Sequence, residues 1–264
     1  MMTDANGSIE VAPASGFFTE LSLAVGFLTI LPVIDNRRAS EEAVAASFEW
    51  FPIVGFMLGL ALCGEDLILS YAFGQVMRSV LIVLSLVVIT GAVHLDGLAD
   101  TADALGAGRD RARALEILQD SRIGTFGAIA IFFDLILKIL ALSTLAGSAR
   151  YFALILAPGL ARYAMVLVSR QIDYLRSAGA GSKLLADAGA RWPRRKLVFI
   201  LPIAFVLAAK FQGARALLVA AAVTIAMRWF YKRWLGGVTG DLIGACGELV
   251  EIAVLVGLST KVSL

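Results

Sequence analysis

The chain has 264 residues; 59% are hydrophobic and 17% charged, the formal net charge is +2 and the mean hydropathy is +0.84. Soluble domains carry roughly 45–50% apolar and about 25% charged residues, so a water-soluble sphere of this size could not hide so much apolar surface. The same figures exclude a disordered chain, and so small a charge gives no basis for a nucleic-acid partner, which leaves an integral membrane protein.

Residues 1–16 are polar, hold Asp4 and Glu10 and lack Lys and Arg, so they read as a polar N-terminal extension and not as a signal peptide. Residues 17–264 read as one membrane-embedded domain. A crossing needs about 20 mostly apolar residues. Such runs are 51–73, 75–94, 126–146, 151–169, 196–210, 214–231 and 242–259, the 196–210 run being short. The run 17–33, with Glu20 and Pro32, suits either a span or an interfacial helix. The expectation is an all-α polytopic helical bundle of about seven to eight transmembrane helices.

Lys and Arg in the connections set the orientation. They fall before 51 (Arg37, Arg38), in 95–125 (Arg109, Arg111, Arg113, Arg122), in 170–196, and at Lys232 and Arg233. If all four stretches are cytoplasmic, the intervening spans come in pairs, with short outer connections near Gly74, Gly147–Arg150 and Lys210–Arg215. Glu65 and Asp66 then lie at the outer interface. Cys63 and Cys246 sit in apolar runs and make no disulfide framework, and a single histidine leaves no Cys/His metal spacing.

Three polar segments carry the chemistry. In His94-Leu-Asp-Gly-Leu-Ala-Asp-Thr-Ala-Asp103, Asp96, Asp100 and Asp103 stand at i, i+4 and i+7 on one helix face. Like charges so placed repel, more severely near a bilayer, so a cation is expected among them. Mg²⁺ typically joins one or two carboxylates to substrate phosphates. A solvated acidic helix end is the plainer reading. His94, two residues before the triplet, is either a structural hydrogen bonder or a general base within reach of a reacting hydroxyl.

In the second segment, Asp120-Ser-Arg-Ile-Gly-Thr125 leads into a span. Ser121, Arg122 and Thr125 at a helix N-terminus suit an anion, whereas Arg109, Arg111 and Arg113 read as membrane-surface anchors. The third, Gly236-Gly-Val-Thr-Gly-Asp241, is a Gly-rich turn in which Thr239 supplies a hydroxyl and Asp241 a carboxylate. Glu248 and Glu251 follow inside the apolar run, where acidic groups are costly and so expected to act on substrate, or else to bond between helices. Asp134 and Lys138 form an i,i+4 pair that reads as mutually neutralised, and Arg162, at mid-span, requires an acidic residue or a phosphate. By the orientation above, Asp96 to Asp103, Arg122 and Asp241 all lie at the cytoplasmic surface, an arrangement suited to phosphoryl or nucleotidyl-type transfer.

Gly91-Ala-Val-His-Leu-Asp-Gly-Leu-Ala-Asp-Thr-Ala-Asp103, Ala114-Leu-Glu-Ile-Leu-Gln-Asp-Ser-Arg-Ile-Gly-Thr-Phe-Gly127 and Gly237-Val-Thr-Gly-Asp-Leu-Ile-Gly-Ala245 resemble the cobalamin synthase family, also called adenosylcobinamide-GDP ribazoletransferases. Phe27-Leu-Thr-Ile-Leu-Pro32 and Trp50-Phe-Pro-Ile-Val-Gly55 extend the likeness over nearly the whole chain in the same order, while 1–16 and 174–195 match nothing definite. The resemblance implies a Mg²⁺-dependent, multi-pass enzyme of the cell inner membrane with its active site facing the cytoplasm. Such an enzyme joins adenosylcobinamide-GDP to α-ribazole or its 5′-phosphate and releases GMP, at the last assembly step of the vitamin B12 coenzyme. Its partners would be those substrates, the lipid bilayer and, as options, a second copy or other cobalamin-assembly enzymes.

On this likeness the metal falls to Asp96 and Asp100 with Asp103 or Asp241. Arg122 would neutralise the departing charge, and His94 or a carboxylate would take the hydroxyl proton. Ser121, Thr125, Thr239, Glu248 and Glu251 would contact substrate. Two other classes stay open on the residues alone. A CDP-alcohol phosphotransferase would want Ala-Arg after its Asp-Gly pair, where this chain has Asp100-Thr101. A transporter would use Lys138, Arg162, Glu248 and Glu251 as a pathway and show no turnover.

Overall fold

The computed structural model describes residues 16–32, 41–120, 122–175, 200, 203–204 and 207–260. Every regular element among them is helical. In chain order they are α1 (Phe17–Leu28), α2 (Glu41–Ser47) with a 3₁₀ turn at Phe48–Trp50, α3 (Phe51–Leu69), α4 (Gln75–Thr90) and α5 (Val93–Leu105). Then come α6 (Arg111–Ile117), α7 (Thr125–Thr144), α8 (Gly147–Val168), α9 (Lys210–Trp234) and α10 (Gly240–Ser259).

Five helical stretches are long and apolar enough to cross a membrane: Ala43–Leu69, α7, α8, α9 and α10. A sixth exists if α4 and α5, bent by 90° at their junction, count as one broken span. The described residues thus hold five to six crossings where seven to eight are expected from the apolar runs, and the 196–210 run falls largely outside them. α1 has 12 residues. At 1.5 Å per residue it is about 18 Å long, shorter than a crossing of the hydrocarbon core needs.

The break in the expected 75–94 span has a local cause. Gly91 and Ala92 both adopt left-handed backbone, at φ 61° and 57°. Glycine does so freely, whereas a left-handed alanine costs about 1–2 kcal/mol. The pair ends α4 and turns the chain so that α5 lies against α7 and α10. Strain held beside an acidic motif is where a functional constraint is expected.

The bundle is centred on α8, most of whose residues are buried, packed on α3, α9 and α10. Gly55 and Gly59 of α3 form a small-xxx-small stripe that lets the backbones of α3 and α8 approach. A Cβ on Gly59 would lie 2.6 Å from the Leu154 carbonyl oxygen and 2.7 Å from the Ile155 Cα. Where no hydrophobic effect drives helices together in lipid, such contact and interhelical polar bonds must hold them.

A polar knot ties the end at which α3 finishes and α4 and α8 begin. Asp66 is fully buried and accepts from Arg150 Nε at 3.0 Å, Arg150 Nη2 at 2.7 Å and Arg78 Nη1 at 3.0 Å. Arg150 also donates to Ser79 Oγ at 3.0 Å and the Leu142 carbonyl at 2.6 Å. Asp66, expected at the interface, is therefore the centre of a four-helix tie, because two guanidinium groups from other helices compensate its burial.

Candidate active site

The opposite end of the bundle gathers the N-termini of α7 and α10, the C-terminus of α8 and the whole of α5. Two glycines make this possible. A Cβ on Gly97 would stand 2.8 Å from the Asp241 carbonyl oxygen and 2.9 Å from its Cα, and one on Gly244 would stand 3.4 Å from the His94 Cα. The crossing of α5 and α10 therefore sets His94 beside Gly244 and Asp241 beside Gly97. Gly97→Ala is expected to push the start of α10 away from α5. Turnover should fall at least about tenfold, 1.4 kcal/mol in the barrier, and the thermal midpoint should fall with it, because overpacking against backbone costs about 1–3 kcal/mol. Wild-type turnover in that variant would show that the close approach is dispensable.

His94 and Asp241 line one cavity of about 220 Å³, whose other walls come from α1, α2, α3 and Met165 of α8. His94 is 5% exposed, and its Nδ1 has no hydrogen-bond partner among the described residues. Thr239 caps α10: its hydroxyl accepts from the Leu242 N–H at 3.3 Å and donates to Asp241 Oδ2 at 3.3 Å. It thus helps to orient the Asp241 carboxylate at the start of α10.

The aspartate triplet divides. Asp96 is exposed and Asp100 half-buried, one turn apart on the same face of α5. Asp103 turns to the N-terminus of α7, accepting from the Gly124 N–H at 2.7 Å and the Gly127 N–H at 2.9 Å. A carboxylate there satisfies two orphan amides and complements the positive end of the helix dipole. Asp103→Ala is expected to destabilise the protein by about 1–2 kcal/mol, read as a lowered thermal midpoint in detergent. An unchanged midpoint would show that the cap is inert.

Among the described residues no three His, Cys, Asp or Glu side chains converge to hold a metal by themselves. Asp96 and Asp100 nonetheless fit a hard cation that takes one or two carboxylates and completes its shell with phosphate oxygens and water.

Arg122, beside that same α7 terminus, is 87% exposed on its side chain and pairs with Asp120 through Nε at 3.0 Å and Nη2 at 2.6 Å. The guanidinium holds the Asp120 carboxyl down at about 2, so both groups are charged at physiological pH, and an exposed pair of this kind is weak enough for a phosphate to displace. Thr125 is exposed at the first position of α7, and Ser121 lies outside the described residues.

Glu248 and Glu251 face the bundle core, where Lys138 contacts Glu248, Glu251 at 3.1 Å and Asp134 at 3.1 Å. Arg162 completes the group, donating to Glu251 Oε2 at 2.6 Å. The acidic partner required by Arg162 is Glu251, and the Asp134–Lys138 pair is one edge of a network across α7, α8 and α10 rather than a closed pair.

Two neighbours of the site are invisible to sequence reasoning. Arg111, classed above with the anchors, extends its guanidinium over Gly236, 3.1 Å from where a Cβ would stand; Gly236 is left-handed at φ 74°. Tyr174 pairs with Val238 through Leu175 N–H to the Val238 carbonyl at 2.9 Å and Val238 N–H to the Asp173 carbonyl at 2.8 Å. The chain after α8 thereby braces the Gly-rich turn. Only the glycines themselves, which allow such approach, hint at it.

Residues 20–259 match the family model described as cobalamin-5-phosphate synthase, a stretch that includes all three polar segments. Curated relatives named adenosylcobinamide-GDP ribazoletransferase include one from Syntrophobacter fumaroxidans, 38% identical over 243 residues that cover 90% of this chain and 97% of the relative. One from Pseudomonas syringae pv. syringae is 39% identical over 238 residues, 90% and 97% of the two chains. One from Geotalea daltonii is 34% identical over 236 residues, 89% and 95%. No solved structure matches the chain.

Proposed function

We propose, on the premise that this chain belongs to the cobalamin-5-phosphate synthase family, that it is an adenosylcobinamide-GDP ribazoletransferase acting at the α5–α10 end of its bundle. It joins adenosylcobinamide-GDP to α-ribazole or its 5′-phosphate, giving adenosylcobalamin or its 5′-phosphate and GMP. The observation that carries the assignment to this end is the crossing of α5 and α10, which sets buried His94 and Asp241 on one cavity, with Asp96 and Asp100 following His94 on α5. The Arg-bearing loop 106–124 lies at the same end, which supports a cytoplasmic orientation in the inner membrane.

In the reaction the ribazole 3′-hydroxyl oxygen bonds to the phosphorus that carries the aminopropanol arm, and the bond from that phosphorus to the bridging diphosphate oxygen breaks, releasing GMP. His94 or Asp241, both on the cavity, takes the hydroxyl proton. Asp96 and Asp100 would hold Mg²⁺. When bound, the ion offsets charge on the transferring and leaving oxygens. Arg122, exchanging Asp120 for phosphate, grips the departing group bidentately.

Product identity tests the reading. Protein reconstituted in lipid and given both substrates should convert adenosylcobinamide-GDP into a species with the mass of adenosylcobalamin or its 5′-phosphate. Recovery of both substrates intact would contradict it.

A further inference from the structure

The cavity beside His94 is built unlike a phosphate site. Phe27, Phe48 and Phe51 form much of its wall, and the rings of Phe48 and Phe51 lie 4.4 Å apart at 48°. Its polar side chains are His94, Asp241 and Ser47, whose hydroxyl donates to the Val44 carbonyl. An apolar protein cavity of about 150 Å³ holds benzene, so about 220 Å³ has room for a fused two-ring aromatic.

We propose that this cavity seats the benzimidazole base of α-ribazole and thereby aims the ribose at His94 and Asp241. The inference rests on the transferase reading above and names the half-site for the nucleophile. Of the groups the two substrates bring, the benzimidazole is the one that is small, flat and apolar. Guanine needs hydrogen-bond partners along both of its edges, and beyond Ser47, His94 and Asp241 the lining side chains are apolar. The amide-bearing corrinoid is too large and too polar for the space. A lipid acyl chain would fit the walls but leave the buried His94 Nδ1 without a partner, whereas the nucleoside carries hydroxyls that can reach it.

The test uses the full chain in lipid with two variants. Val44→Trp fills the cavity. Phe27→Ala removes part of its wall at a residue 43% exposed, where the thermal midpoint is expected to stay close to that of wild type. Initial rates of GMP release are measured against each substrate, and binding of radiolabelled α-ribazole alone is measured by equilibrium dialysis. Val44→Trp should raise the KM for α-ribazole and weaken its binding by at least about tenfold, and Phe27→Ala by about threefold, with the KM for adenosylcobinamide-GDP within about twofold of wild type.

Wild-type affinity for α-ribazole in both variants would overturn the proposal. So would a defect confined to adenosylcobinamide-GDP, or one reversed by changing the acyl chains of the lipid. Absent turnover in wild type would instead sink the transferase reading. Dialysis still judges the cavity in that case: binding lost in the variants supports it, and no binding to wild type overturns it.

Discussion

Lys138→Met is expected to destabilise the protein by about 3–5 kcal/mol, the cost of breaking a buried ion pair and leaving its partner charged in the interior. Lys138 is 3% exposed and contacts three carboxylates from two helices, Asp134 on its own and Glu248 and Glu251 on α10. Without the ammonium group, Arg162 is the remaining cation of the network and reaches Glu251. The measurement is the thermal midpoint in detergent, with the monodisperse fraction after purification. Adding Glu248→Gln to Lys138→Met should recover part of the loss, because the two changes share one interaction and are not additive. A variant within about 1 kcal/mol of wild type would mean that the network contributes little beyond a surface ion pair.

Asp96→Ala is expected to lower turnover at least about a hundredfold, 2.7 kcal/mol in the barrier, with the midpoint unmoved. Asp96 is exposed on α5, so the alanine leaves no cavity and no stranded partner. Its expected contribution is to hold Mg²⁺ against the diphosphate, and extra Mg²⁺ should recover some of the rate, as it does when a ligand is weakened and not the fold. Turnover within about tenfold of wild type, 1.4 kcal/mol or less, would remove Asp96 from the metal site.

The types of residue at the active end are legible in the sequence, and their meeting is not. A histidine, spaced aspartates and a Thr-Gly-Asp turn announce polar chemistry because such groups are costly near lipid. That His94 and Asp241 share a cavity depends on Gly97 and Gly244, whose role is to be absent between two backbones. The i+7 spacing places Asp103 with Asp96 and Asp100, but the amide donors of Gly124 and Gly127 come from another helix and claim it. Likewise the Asp134–Lys138 pair follows from an interval of four, whereas Glu248 and Glu251 join it only through the packing of α10 on α7.

The bend inside the 75–94 run is hidden from the sequence for a related reason. Apolar runs report burial in lipid or protein and say nothing of direction, so the residues from Gln75 to His94 read as one crossing. The chain turns within them at Gly91 and Ala92, and the turn sends the aspartate segment against α10. A glycine at that point is a weak signal in a chain with 25 of them. Gly55 and Gly59 are small residues four apart in an apolar run, a pattern with a known use in helix contact, but only the structure shows which helix they meet.

The central claim is that this end of the bundle carries out a metal-dependent transfer, and GMP release tests it most directly. Protein reconstituted in lipid, stripped of divalent cations with EDTA and returned to Mg²⁺, is given adenosylcobinamide-GDP with and without α-ribazole 5′-phosphate. Release that requires both substrates and the returned Mg²⁺ is the result predicted. Release that is absent under every condition, or equally fast in EDTA, would contradict it.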